Sequence, residues 1–468
     1  MPKKDSIKTQ DTNDTNKNQE QKIDLDIQYF LILPHQLFEK DCFKKVGVNL
    51  KQKKILLWEH PQYFTKYHYN KKRLIMHRAS MKVYYDDMKK AGVDIKYCEF
   101  DKKPTVEYLK QYLMFHPIDK LKLPGKPNYL ESPNFLLTLQ NFEEFRKKSD
   151  KFFFNSFYMW GKEVVDIIPG VKSLDKVNRK RMPKDVNVPK LPTNKSKKDN
   201  EYIKEASQYV EKYFSKNYGS CNDFQLPISH SVAKKWLKDF IDKKFKHFGD
   251  YEDFINQEEA YLYHSVLSSS INMGLINPND IIEEIKKVKS KVSLNNFEGY
   301  VRQLFWREYQ RYCYMYYPWE GKNYFGNKGR LNKKWYTGDL GIKPVDDAIK
   351  MAFNNGYLHH IYRLMVVGNY MNLAGISPKE GFKWFMEFSC DSYEWVMYQN
   401  VLDMVFFVSG GATMRKPYAS SSNYILKMSN YKKEEWCDKW DGAYQKFMKD
   451  NKDKLWKFRY HFPGLKKL

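Results

Sequence analysis

At 468 residues with a formal net charge of +25, the chain is long enough for two or three domains and carries the field of a protein with an anionic partner. The partners in question are nucleic acid, an acidic membrane surface or a polyphosphate; aromatics at 17% favour nucleic acid over lysines that merely solvate the surface. Six scattered cysteines without a C-x-x-C pair, no apolar run near ~18 residues and no signal-peptide core argue against a disulfide framework, a cysteine metal centre, a membrane span and secretion.

In chain order, residues 1–24 read as a disordered polar tail. The runs 27–33 and 54–59 are short and apolar, as in buried parallel strands, and 73–92 has helical periodicity with a glycine stop. Residues 93–100 read as a further strand and 105–115 as a helix. This β-α-β-α alternation over 25–150 predicts an α/β domain, Rossmann-like, with an open parallel sheet and helices on both faces. The first strand runs into Pro34-His35-Gln36-Leu37 without G-x-G-x-x-G, so a dinucleotide fingerprint is absent. Residues 151–200 form the interdomain connection, and its Pro-, Lys- and Asn-rich part from 179 predicts a linker around the outside. From 201 to 468 the spacing predicts an all-helical domain, with helices over 201–218, 231–247, 251–273, 279–291, 294–317, 344–375, 378–408 and 432–456.

Chemistry-bearing residues gather in this helical half. His264, Ser265, Ser268 and Ser269 lie in an apolar helix and turn, where small hydroxyl residues suit phosphate binding or simply cap a helix. Residues 297–318 place Arg302, Trp306, Arg307, Glu308 and Arg311 on one aromatic-rich helix, and 416–431 add Tyr418 and Tyr424. The doublet His359-His360 begins an apolar helical run and reads as core filler, metal ligand or general acid. Adjacent helical residues point about 100° apart, which disfavours one shared metal. A zinc site asks for i,i+4 spacing and a third ligand, and neither is visible in the sequence, so no metal site is expected.

W-R-E-x-x-R (306–311), W-Y-T-G-D (335–339), H-H-I-x-R-L-M (359–365), C-D-S-Y-E-W-V (390–396) and K-P-Y-x-x-S-x-x-Y-I (416–425) occur in that order. With this set the chain resembles the cryptochrome/photolyase family over residues 25 to 430, in particular its bacterial (6-4) photolyase branch. The resemblance implies an N-terminal antenna domain and a C-terminal helical domain that holds FAD. The implied reaction is light-driven repair of (6-4) pyrimidine photoproducts in UV-damaged DNA by an electron from excited reduced FAD, with cyclobutane-dimer repair and blue-light sensing as alternatives. His360 would be the proton donor and His359 its polar neighbour, with Tyr418 and Tyr424 lining the lesion pocket. His264, Ser265, Ser268, Arg302, Trp306, Glu308, Asp391 and Asn400 would contact the cofactor. Trp384 and either Tyr336 or Trp335 would relay electrons. Arg415, Lys416, Arg179 and Arg181 would contact the DNA backbone. The expected form is an intracellular monomer.

Two departures from the family pattern bear on cofactors. The cluster cysteines are replaced: Pro344, Lys432 and Glu435 stand in three of the family's positions, and Cys437 lies two residues out of register. Thiolates are required to hold such a cluster, so no iron–sulfur cluster is expected. Trp436 and Trp440, four residues apart, would fill its structural role. Near the flavin, Met397 stands where the family carries an acid, which puts flavin redox behaviour in question. His35 and Gln36 mark the antenna position, for which 6,7-dimethyl-8-ribityllumazine is the chromophore the resemblance implies.

Overall fold

The computed structural model describes residues 23–183, 186–193 and 196–467; most of the expected tail lies outside them. The first 130 residues supply every strand found among the described residues: β1 (Tyr29–Ile32), β2 (Lys54–Trp58), β3 (Asp94–Cys98), β4 (Gln111–Phe115) and β5 (Lys126–Leu130). All pair in parallel in the order β3-β2-β1-β4-β5. Phe30 of β1 faces Ile55 on one side and Leu113 on the other, and both central strands are apolar nearly throughout. A strand buried on both faces has no polar side to show.

Two elements depart from expectation. The predicted helix 105–115 is only α2 (Val106–Lys110), and its second half is β4. The periodicity of Tyr112, Leu113, Met114 and Phe115 is ambiguous over so short a run, and all four are buried between β1 and β5. β5 itself carries a proline and four partly or fully exposed positions, an edge strand without an apolar pattern.

The long helix α1 (Lys71–Lys90) precedes β3 and is buried over most of its first three turns. Arg78 is its electrostatic hub. Its guanidinium reaches Glu59 (2.9 Å), Glu99 (3.0 Å) and Glu205 (2.8 Å) and lies 3.9 Å from the Tyr209 ring centroid, which ties the sheet to α3 (Lys197–Tyr213). Glu59 is fully buried. Arg78→Ala is expected to destabilise the protein by about 3–5 kcal/mol in denaturant melts, because it leaves the Glu59 carboxylate buried without its cation.

Strand order reverses between β1 and β4, the place where open α/β sheets leave a crevice. Here side chains staple it shut. Gln36 donates to the Phe115 carbonyl (2.6 Å), and the His35 Nε2 meets the Pro117 carbonyl (3.0 Å). Both residues are buried, and burial pushes the His35 imidazole down to about 3, so it is neutral. Just beyond β4, Asp119 accepts from the Trp395 amide (2.9 Å) and the Tyr63 hydroxyl (3.4 Å).

Burial, then the nearby Glu394 carboxylate, push the Asp119 carboxyl up to about 7. An acid raised on folding adds stability below its unfolded pKa and loses it as pH rises to the folded one. The wild type should therefore lose stability between about pH 4 and pH 7 through this group. Asp119→Asn should lack that component, which thermal melts across the window would read.

Beyond β5 the described chain is helical apart from two isolated bridges, Ile255–Ser429 and Gly329–Ile376. The expected helix over 251–273 is not formed. After Tyr251 the backbone turns, Leu262 and Val266 take positive φ (41° and 54°), and only α4 (Ser268–Met273) is helical. The axis of this half is α5 (Leu294–Tyr316), in which seventeen of twenty-three residues are buried.

The expected helices 344–375 and 378–408 are each broken. α6 (Lys343–Asn355) ends on Gly356 in the left-handed region (φ 63°), and α7 (Pro378–Phe388) ends at Ser389. Each is followed by a π-helical segment, Tyr362–Gly368 and Tyr398–Val405. The wide winding brings the two segments together at Gly368, where an added Cβ would lie 2.7 Å from Val405. The last long helix, α8 (Trp436–Asp450), buries Trp436, Cys437 and Trp440. No helix among the described residues is long and apolar enough to cross a membrane.

Candidate functional site

A cavity of about 620 Å³ opens inside the helical half, between α5, the loop before α4, both π-helical segments and the 416–420 loop. π-helical turns re-aim side chains and cluster at functional sites, and both line this cavity. One wall is flat and aromatic: Phe154 stacks on Trp306 at 3.6 Å and 5°. Tyr300, Leu364, Met397 and Val401 add to an interior in which apolar surface exceeds polar. This is the mixture of an apolar slot with a few fixed polar groups that suits a large planar ligand.

The polar groups are held from behind. Asp391 receives both Arg363 Nη atoms (2.9 and 3.0 Å), Ser268 (2.6 Å) and Ser389 (2.5 Å). Burial alone would raise this carboxyl, but Arg363 and the two serines hold it below the usual range, as an anion. Arg302 is equally committed, to Glu252 (2.5 Å) and Asp175 (3.0 Å).

The histidine pair sits at the end of the cavity beside residues that no motif singled out. His360 Nε2 lies 3.2 Å from Asp253 Oδ1, and its side chain is 38% exposed. His359 is buried, and neither ring nitrogen has a hydrogen-bond partner. Its ring lies 4.6 Å from that of His264, at 11°, and the His264 Nε2 is also without a partner. Burial first, then neighbouring positive charge, drives both His264 and His359 well below the ordinary imidazole range, so they are neutral. Tyr418, Tyr424, Arg179 and Lys416 line the same cavity.

Of the residues expected at a cofactor, His264, Ser265, Ser268, Arg302, Trp306, Asp391 and Asn400 line the cavity, as does Met397. Glu308 is a correction. It is 1% exposed and accepts from the Leu137 amide (3.2 Å), fastening α5 to the segment before residue 138. A carboxylate on the opposite face of a helix from Arg302 and Trp306 cannot share their cavity.

Trp384 is fully buried and donates to the Trp335 carbonyl (2.8 Å), with Phe353 between it and Tyr336 at centroid distances of 5.6 and 5.8 Å. Tyr336 donates to Glu387 (2.9 Å), while Trp335 packs toward Tyr370 (6.0 Å). Arg181 and Arg415 are exposed. Sequence reasoning missed Asp253 and Phe154, for which no pattern existed, and passed over Arg363, which stood inside the quoted H-H-I-x-R-L-M stretch.

Residues 30–125 and 118–226 match the family model described as deoxyribodipyrimidine photo-lyase-related protein. A (6-4) photolyase of Agrobacterium fabrum is 35% identical over 269 residues, 56% of this chain. The match spans 52% of that relative, so the chain covers about half its length. An uncharacterized protein of Acanthamoeba polyphaga mimivirus is 49% identical over 110 residues, 23% of this chain and 85% of that protein. Among solved structures, a bacterial class III photolyase from Agrobacterium tumefaciens superposes with a TM-score of 0.58 over 90% of this chain and 86% of that one, at 15% identity. Over its first half the chain is similar to the photolyase-related family, and it shares the photolyase fold. In that shared fold, the parallel sheet forms the N-terminal α/β region and the cavity lies in the helical remainder.

Proposed function

We propose that this protein is a light-driven, FAD-dependent DNA photolyase acting on (6-4) pyrimidine photoproducts. The observation that carries the reading is the hydrogen bond from His360 to Asp253 at the open end of an aromatic-walled cavity, with two neutral histidines behind it. The residues fit a flavin. Trp306 and Phe154 offer a flat wall, and Ser265, Asp391 and Arg363 offer fixed polar edges inside an apolar slot. Bound and reduced, such a group supplies the light-driven electron that lesion reversal requires.

The chain's own residues supply the rest. Asp253 fixes one His360 nitrogen, leaving the other to hold and deliver a proton to the lesion. His359 and His264, kept neutral, do not compete for that proton. Tyr418 and Tyr424 border the space for an extruded base, whose damaged stacking lowers the energy of flipping. Arg179, Arg181, Lys416 and Arg415 face backbone phosphate, which makes binding salt-sensitive. Trp384 and Tyr336 carry electrons toward the cavity. No iron–sulfur cluster belongs to this reading, because Lys432 and Glu435 stand where the family's thiolates do. A lumazine antenna, an intracellular setting and a monomeric form complete the reading.

The test is illumination of the reduced protein with oligonucleotides carrying either a (6-4) photoproduct or a cyclobutane dimer. Restored bases in the first substrate alone support the reading, and repair of the second alone overturns its substrate. Met397 on the cavity wall favours a second reading, light sensing without repair; flavin photoreduction with neither lesion repaired would select it. A protein that binds no flavin excludes both.

A further inference from the structure

The cluster at the end of the cavity has a property that proton delivery does not use. His264, His359 and His360 each present a nitrogen such that the three lie within 4.8 Å of one another. Ring centroids stand 4.6, 5.6 and 6.2 Å apart. We propose that these three imidazoles form a binding site for a divalent transition-metal ion of the zinc class, with a fourth position open to the cavity.

Three observations carry this. First, His264 and His359 are 6% and 1% exposed, yet three of their four ring nitrogens have no hydrogen-bond partner. Orphaned buried polar groups are costly and call for a ligand. Second, two of the rings are oriented from behind by adjacent residues. The Glu252 carbonyl engages the His264 ring, leaving Nε2 bare, and the Asp253 carboxylate takes the His360 Nε2, leaving Nδ1. A carbonyl or carboxylate behind each imidazole is the arrangement that fixes tautomer and direction in metal-ligating histidines. Third, Leu262 and Val266, at φ 41° and 54°, bracket His264 in the turn that sets its ring 4.6 Å from that of His359.

Neutral imidazoles are the competent form, and three of them with an open position suit Zn²⁺ rather than Mg²⁺ or Ca²⁺, which take oxygen. Bonds of about 2.0–2.1 Å require the nitrogens to close to roughly 3.3 Å, a matter of side-chain rotation into the space they already face. The nearby cations do not forbid it, since Arg363 is paired with Asp391, and Arg302 with Glu252 and Asp175.

The sequence masked this site. The third ligand is remote in the chain from the doublet, and the doublet's angular separation counts against one metal only if its helix is ordinary. His359 instead lies just before the helix that His360 opens, two residues ahead of the π-helical segment.

The site stands on its geometry; its consequence rests on the function proposed above. An ion on His360 Nδ1 occupies the lone pair that would carry the proton, so zinc would switch repair off.

The experiment takes the flavin-loaded protein after chelator treatment and adds Co²⁺ as a visible probe, then Zn²⁺. Expected are one equivalent of Co²⁺ with tetrahedral d–d bands, displaced by Zn²⁺, and X-ray absorption showing three nitrogen donors at about 2.0 Å. Asp253→Asn should weaken binding roughly 10- to 100-fold, and His359→Ala should abolish stoichiometric uptake. No saturable uptake by the unmodified protein, or uptake unaltered in His359→Ala with its flavin content retained, overturns the site. Repair assayed on the same samples separates the two readings. Bound zinc with undiminished repair leaves the site standing and removes His360 as the acid.

Discussion

His360→Ala is expected to lower (6-4) photoproduct repair by roughly 100- to 10,000-fold, the usual range for removing a positioned general acid. Flavin content and photoreduction should be unchanged, because His360 is 38% exposed at the cavity's open end and Asp253 keeps Arg179 as a second partner at 3.7 Å. Asp253→Asn keeps a hydrogen-bonding side chain but loses the carboxylate that fixes the His360 ring, so it should fall between wild type and His360→Ala. The readout is restored thymines per photon absorbed, with flavin measured in the same cuvette. Repair within threefold of wild type in His360→Ala would exclude this histidine as the donor.

Arg363→Ala is expected to empty the cavity. The substitution removes both donors of the bidentate pair with Asp391, whose side chain is 9% exposed. A buried carboxylate left without its cation costs about 3–5 kcal/mol. Asp391 would respond by taking up a proton, Ser268 would lose its fixed partner, and the wall would loosen. The expected result is flavin-to-protein absorbance near zero and a lowered melting temperature. Arg363→Lys, a point charge in place of a planar fork, should recover only part of either. Full flavin occupancy with an unchanged melt would contradict this role.

How much of this was legible beforehand depends on how far apart in the chain the cooperating residues lie. β1, β2 and α1 were readable because their burial is continuous and local, and β3 because its burial alternates. Residues 111–115 were not, since a five-residue apolar run becomes a strand only through the neighbours it meets. The same distinction governs the site. His264, Trp306 and Asp391 fell within recognisable stretches and do line the cavity. Asp253 sits in an unpatterned turn, and its meaning comes from His360, 107 positions away. Glu308 was misassigned because a motif names neighbours in sequence, while a helix sends them to different faces.

The π-helical winding at Tyr362–Gly368 has one further implication. A helix closed by i+5 bonds holds one residue more than an ordinary helix of the same hydrogen-bonded span. Loss of a single residue there would let the segment relax to ordinary winding with its two flanks in the same register. Ordinary winding of all seven residues would instead turn everything before it by about 100° relative to everything after. His360 would swing off Asp253 while Asn369, bonded to Ser420 at 2.8 Å, stayed in place. The active geometry is thus indexed by a count: one residue of slack lets the two ends of this segment satisfy two unrelated partners at once.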